Sequence, residues 1–505
     1  MDITSVLVSK AKRFIRADYR GSALRALAPD NARMSFRPAF IVACCFWSFC
    51  AWAQIPAGVD TELAKAKIPR DAAAFLVVEA VSSASAAKPR LSHRVSAAMQ
   101  AASVIKLATT FAALELLGPA YTWATPVFID GTVREGVLTG NVYIQGQGDP
   151  KLVLERLWLL LRRLQGAGIT SIRGDIVLDR SAFDVPDSDP GAFDGEPLRP
   201  YNASPDALLL NYKTVVMTFT PAPGSNVAHV QYDPPLAGVQ TQDTVATSAS
   251  PCNDYRASLK PDFSDPLRIR FVGSYPLSCG ERVWPVAYAD PANFAPRAVQ
   301  GLWNSLGGKL SGTVRYGNLP TRLTAEKPLF EVRSPPLAEI IRDINKFSNN
   351  VMAQQLFLTL GRDGNGSAGS FGASRLVMQR WWQERISADE PLNIDNGSGL
   401  SRTERISALA LGRLLQSVYR SPLMPELMAS LPISGLDGTM KRSKSNSQGS
   451  AHLKTGSING VTAIAGFVHA TSGKHFIVVA LVNHPNAPAA RAAFDALVDW
   501  TAQDH

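Results

Sequence analysis

The sequence predicts an α+β fold, with helices packed on an antiparallel sheet and a long β-rich stretch set between two helical parts. Three observations point to it. Apolar residues recur at helical spacing near 101–117 and again at 335–360, 373–386 and 406–419. The chain closes on three strand-like runs, 451–455, 461–470 and 475–483, separated by turn residues. From about 125 to 320, short β patterns alternate with Gly, Pro and Asp. The 505 residues, 46% of them hydrophobic, are enough for several domains with sizeable cores.

The first 53 residues stand apart. Residues 39–49 form a short apolar run that follows Arg33 and Arg37 and ends near Ala51-Trp52-Ala53. A charged region, an apolar region and an A-x-A end mark a secretory signal, with cleavage expected after Ala53 and a periplasmic location. The run is shorter than the roughly 20 apolar residues a span needs, so no stable membrane anchor is expected. Met34 stands just before the signal, so residues 1–33 read as an extension from an early start or as a long charged region. Residues 1–53 carry eight basic and three acidic side chains, leaving about +4 of the formal +9 for the remainder. That is an ordinary charge and gives no case for nucleic-acid binding. Cys44, Cys45 and Cys50 leave with the signal; Cys252 and Cys279 remain, an even pair in an oxidising compartment, and a disulfide between them is expected.

In chain order, 72–81 reads as a strand, and a helix from about 101 runs through Leu107, Phe111, Leu114 and Leu117 until Gly118-Pro119 stops it. Val142-Tyr143-Ile144 and Ile176-Val177-Leu178 read as strands, with a helix at 152–165 between them. The stretch 211–291 is almost entirely short β patterns, a module nested in the larger insert. Ser457-Ile458-Asn459-Gly460 and Thr471-Ser472-Gly473-Lys474 read as turns, and a helix at 488–502 closes the chain with Pro488 in its first turn.

Three short motifs then occur in order. Ser103-Val104-Ile105-Lys106 is S-x-x-K; positions i and i+3 share a helix face, so the hydroxyl and the amine meet. A serine needs a base to become a nucleophile. A lysine is that base only when burial or a second cation lowers its pKa, and Lys454 can supply the second charge. Ser348-Asn349-Asn350 is S-x-N, placed between two helical patterns, where Ser348 can relay a proton and Asn350 can hold the lysines and a substrate amide. Lys454-Thr455-Gly456-Ser457 is K-T-G-S at a strand end. An edge strand there pairs with an extended peptide, Gly456 permits close approach, and a cation with two hydroxyls suits a carboxylate. The backbone N–H groups of Ser103 and Ser457 are candidates for an oxyanion hole. Singly, each motif is weak: an exposed helical pair, a helix cap and a solvated strand end. Their conjunction is specific. No G-x-S-x-G, H-E-x-x-H or C-x-x-C competes, and the seven histidines are scattered, so no metal site is expected.

With these motifs the sequence resembles the low-molecular-mass class C penicillin-binding proteins, D-alanyl-D-alanine carboxypeptidases with endopeptidase activity. The long separation of Ser103 from Ser348 resembles the family's insert, which β-lactamases lack. Gly174-Asp175-Ile176-Val177-Leu178-Asp179, Asn396-Gly397-Ser398-Gly399-Leu400-Ser401-Arg402 and Leu436-Asp437-Gly438-Thr439-Met440 are also similar. The resemblance implies a serine DD-peptidase/β-lactamase-like domain at 54–125 and 321–505, split by an insert of two smaller β-rich domains at 126–320, with the nested module at about 211–290. It implies acyl transfer through Ser103, with Lys106, Ser348, Asn350 and Lys454 as catalytic groups and Thr455, Gly456 and Ser457 holding substrate. Peptidoglycan stem peptides are the implied partners, β-lactams the covalent inhibitors, and no cofactor is implied. A pocket for the stem side chain, often diaminopimelate, is carried over to Glu196, Tyr201, Arg402 and Asn459. The rivals are a β-lactamase or esterase and an inactive peptidoglycan-binding protein.

Overall fold

The computed structural model describes residues 55–504 except 84–86, 187 and 363–366. The expected signal and the cysteines at 44, 45 and 50 lie outside the described residues. Among the described residues no helix is long and apolar enough to cross a membrane.

A five-stranded antiparallel sheet brings together strands from the beginning and the end of the described chain. Its order across the sheet is Leu91–His93, Ala73–Glu79, His475–Asn483, Val461–His469 and Ala451–Ile458. Side chains alternate between its faces. Leu76, Ala465, Phe467, Val479 and Leu481 enter one apolar cluster with the helices Lys106–Leu117, Leu337–Lys346, Asn350–Leu360 and Ala408–Arg420. Phe75, Val77, Ile464, Val478 and Val482 enter a second cluster with Ala57–Lys65 and Arg491–Gln503. Both faces are covered, so the central strands are apolar throughout and lack the alternation of a half-exposed strand.

The turn at the end of the edge strand differs from the sequence expectation. Ser457 and Ile458 are not turn residues; the strand continues through both, pairing Ser457 with Thr462 and Ile458 with Val461. Only Asn459-Gly460 turns, with Gly460 at a positive φ of 77°. An Asn-Gly pair suffices for a tight hairpin.

The β-rich stretch enters through the strand Ala124–Ile129 and leaves through Phe330–Arg333, and these two pair antiparallel, so its two ends stand side by side. They belong to a five-stranded sheet with Val142–Gln145, Ile176–Asp179 and Val314–Tyr316. The nested β stretch forms a second five-stranded sheet around Thr214–Pro221. The helix Leu154–Gly166 is where periodicity places it, whereas Pro291–Ser305 is a helix that the β-rich texture hides. Its signal is local: Asp290 caps the N-terminus by accepting from Asn293 N, and Pro291 fills the first position.

Cys252 and Cys279 form a disulfide, separated by 27 positions. It ties two loops of the nested sheet in a region with one short helix, Tyr255–Leu259. Closing a loop of this size stabilises a fold by about 3 kcal/mol. A Cys252→Ala/Cys279→Ala variant should therefore unfold at lower urea, with the loss visible at Trp284 and the aromatic residues packed around it. An unchanged midpoint would mean that the bridge adds nothing to the packed sheet.

Candidate active site

The turn before the helix Lys106–Leu117 carries unusual backbone. Ala102 has φ +46°, and Ala102–Ile105 forms a 3-10 turn that runs into Lys106–Leu117. Ser103 sits in that turn and Lys106 is the first helical residue. Lys106 Nζ lies 2.8 Å from Ser103 Oγ and 2.7 Å from Asn350 Oδ1, and it also meets the Ser398 carbonyl.

The second motif occupies the break between Leu337–Lys346 and Asn350–Leu360. Ser348 has φ +57°, which turns the chain sharply. Asn349 caps the second helix, its side chain accepting from Met352 N at 3.1 Å. The middle residue of the motif thus builds the turn while its neighbours face the site. Asn350 Nδ2 donates to the Tyr201 carbonyl at 3.2 Å, tying a loop of the insert to the motif. Gln355, one turn further, exchanges two hydrogen bonds with the Asp206 backbone at 2.9 and 2.8 Å.

The third motif lies on the edge strand Ala451–Ile458. Lys454 Nζ donates to Ser348 Oγ and to the Thr455 carbonyl, both at 2.8 Å, and Thr455 Oγ1 bonds Thr439 Oγ1 at 2.6 Å. Gly456 is needed for approach: a Cβ there would stand 2.3 Å from the Ala101 carbonyl oxygen and 3.2 Å from Ser103 N. The loop 396–400 closes the other side. Gly399, at φ +80°, would bring a Cβ to 2.1 Å from the Ala102 carbonyl. Ser398 is fixed by Asn396 Oδ1, which accepts from its N–H and its hydroxyl, and by Gln354 Nε2. Buried Glu404 braces the loop by accepting from Asp395 N and Asn396 N at 2.8 and 3.3 Å.

Both lysines are fully buried. Burial lowers the Lys106 pKa well below its ordinary value, and the charge of Lys454 lowers it further, against an opposing pull from Glu404. Burial brings Lys454 down to about 7 and raises Glu404 to about 7. A neutral amine has two N–H bonds and one lone pair. At Lys106, Asn350 Oδ1 and the Ser398 carbonyl take the two protons, leaving the lone pair to Ser103. The arrangement can therefore take a proton from the serine hydroxyl, which is the requirement for a serine nucleophile.

The four side-chain pocket residues are only partly brought together. Arg402 lies over the Phe193 ring at 4.2 Å and reaches the Asn459 carbonyl at 3.5 Å. The Tyr201 hydroxyl donates to Asp194 at 2.8 Å, and Asn202 does the same. Glu196 is exposed and accepts from Arg199, so Asp194 is the carboxylate that meets Tyr201. Burial opposes ionisation of Asp194, but the bonds from Tyr201 and Asn202 and the charge of Arg402 outweigh it and lower its pKa. Phe193 and Asp194 have no sequence signal of their own; a loop two residues off register in side-chain direction is invisible without its fold.

Fold and site together define a serine peptidase class with a lysine beside the hydroxyl. The chain matches the D-Ala-D-Ala carboxypeptidase 3 (S13) family over residues 55–504 and belongs to it. It is 27% identical over 418 residues to a D-alanyl-D-alanine carboxypeptidase of an Actinomadura species, covering 78% of this chain and 75% of that one. Among solved structures it resembles penicillin binding protein 4 (dacB) of Haemophilus influenzae, with a TM-score of 0.68, 23% identity and coverage of 87% and 99%. That protein has also been solved in complex with a β-lactam, where the TM-score is 0.64 and the identity 22% over the same shares of each chain.

The buried lysines make stability depend on pH. Lys454 binds its proton more weakly in the folded chain, near 7, than in the unfolded chain, near 10.5. Folding releases that proton between these values, so its contribution to stability rises with pH through this window and its penalty is fully present below it. Relative to Lys454→Met, the wild type should gain stability as pH is raised from about 7 to about 9 in urea titrations. Parallel curves would mean that Lys454 stays charged when folded.

Proposed function

We propose that the protein is a periplasmic serine D-Ala-D-Ala carboxypeptidase and endopeptidase that cleaves peptidoglycan stem peptides and their cross-links through an acyl-enzyme on Ser103. The observation that carries this reading is the hydrogen-bond saturation of Lys106, which leaves its lone pair on Ser103 Oγ. Ser103 Oγ attacks the carbonyl of the penultimate D-alanine and its proton passes to Lys106. The backbone N–H groups of Ser103 and Ser457 receive the developing oxyanion. Thr455 and Ser457 hold the carboxylate of the departing residue. Ser348, bonded to Lys454, gives a proton to the leaving amine as the C–N bond breaks; the proton that Lys106 took from Ser103 replaces it, which returns Lys106 to its neutral form. Water then attacks the ester, its proton going to Lys106 and on to the Ser103 oxygen, which frees the shortened peptide. No cofactor enters these steps.

Beyond the scissile pair, Arg402 takes the carboxylate of a diaminopimelate side chain and Tyr201, with Phe193, forms the wall. Asp194 suits its ammonium better than Glu196, whose carboxylate is engaged by Arg199. Charge-assisted contacts contribute about 1.5–3 kcal/mol each. Arg402→Ala should therefore slow diaminopimelate-containing peptides about tenfold or more and leave penicillin acylation nearly unchanged. Equal losses on both would make Arg402 a support of the common site.

The direct test is free D-alanine from a pentapeptide ending in D-Ala-D-Ala. Release by the wild type, with loss of both release and covalent penicillin labelling in Ser103→Ala, is expected. Mass spectrometry placing the penicillin adduct on another residue would overturn the nucleophile. Rapid turnover of penicillin without peptide cleavage would favour a β-lactamase instead.

A further inference from the structure

The cavity that holds Ser103 does not end at the strand hydroxyls. About 350 Å³ in volume, it runs from Ser103 and Ser348 past Thr455 and Ser457 to Arg442, Arg491, Phe494 and Asp495. Arg442 follows the turn Gly438–Met440, whose Thr439 bonds Thr455, and Arg491 opens the last helix. These two elements are far apart in sequence and converge on one end of the cavity.

Among the described residues neither guanidinium has an ion-pair or hydrogen-bond partner. The nearby carboxylate of Asp495 makes no ion pair with either of them. Asp495 Oδ1 accepts from Ser443 Oγ at 2.6 Å and Oδ2 accepts from Lys444 N at 3.0 Å, so both its oxygens are committed to the turn. Two guanidinium groups therefore line the cavity with no carboxylate bonded to them. Arg402, Asp194 and Tyr201 do not line this cavity. The arginines stand instead with Ser348, Thr455 and Ser457, the groups assigned above to the departing amine and its carboxylate.

A single departing D-alanine carries one carboxylate, which the two hydroxyls already receive. A cross-linked substrate differs on this side alone: its leaving amine belongs to a second peptide strand with further carboxylates. We infer that Arg442 and Arg491 form an anion subsite on the leaving-group side of Ser103, which selects cross-linked peptides by binding a carboxylate of the departing strand. Guanidinium groups match carboxylates through paired N–H donors, and an exposed cationic rim at a cleft also raises the encounter rate with anionic substrates. The inference rests on the DD-peptidase reading and adds to it the part of the substrate that separates cross-link cleavage from trimming.

The test compares kcat/KM on a monomeric pentapeptide and on a D-Ala-linked peptide dimer, in the wild type and in Arg442→Gln/Arg491→Gln. Both arginines are exposed, so the double variant should fold. Loss of tenfold or more on the dimer, against less than twofold on the pentapeptide, is the expected result. Amidating the leaving strand's carboxylates other than the one beside the scissile amine should cause a similar loss in the wild type. Lys444→Gln, which removes a cation outside the cavity, should leave both rates as they are. Equal losses on both peptides, no loss on the dimer, or wild-type indifference to amidation would overturn the subsite. A wild type that cleaves neither peptide would overturn the DD-peptidase reading beneath it.

Discussion

The structure depends on one buried amine. Lys106 Nζ joins three segments that are far apart in the sequence: the Ser103 turn, the Asn350 helix start and the Ser398 carbonyl. An ammonium buried among these groups is disfavoured, because charge in a low-dielectric interior is costly and a second buried lysine lies near it. The neutral amine fits the available donors and acceptors. Removing any one partner leaves a buried polar atom unmet, so the base, the second motif and the glycine-rich loop hold one another in place.

Close approach is the second constraint. The edge strand and the loop 396–400 press on the Ser103 turn from two sides, and each does so at a glycine whose Cβ would meet backbone. The turn itself is in an unusual conformation at Ala102, as is Ser348 across the cleft. Left-handed backbone at non-glycine residues persists only where the surroundings over-determine it. Here the surroundings are two glycines, a capped helix and a buried amine. One strained position immediately precedes Ser103, and the other is Ser348 itself.

What was legible in the sequence follows from the range of each interaction. S-x-x-K, S-x-N and K-T-G-S are contiguous, and helical or strand periodicity around them is a short-range pattern, so Ser103, Lys106, Ser348, Asn350 and Lys454 could be singled out together. The Ser398 carbonyl could not, because a backbone acceptor has no residue-type signature. Glu404 looks like any surface carboxylate until the fold buries it against Asp395 N and Asn396 N. Position matching selected Glu196 for the side-chain pocket, whereas the loop geometry directs Asp194 to Tyr201. The edge strand is two residues longer than turn chemistry suggests, since Ser457 and Ile458 are held by cross-strand pairing rather than by local propensity.

The insert's place in this arrangement is structural as well as additive. Its entry and exit strands pair with each other, which lets a large unit leave and rejoin the rest of the fold at one point. Yet it returns to the site through Tyr201 and Asp206, which bond Asn350 and Gln355 on one helix. Asp206 is itself held by Arg180 and Lys213, both from the insert. Asn350 is the side chain that touches both the amine and the insert, its oxygen accepting from Lys106 Nζ and its nitrogen donating to the Tyr201 carbonyl, while Gln354 on the same helix holds Ser398, the third partner of the amine.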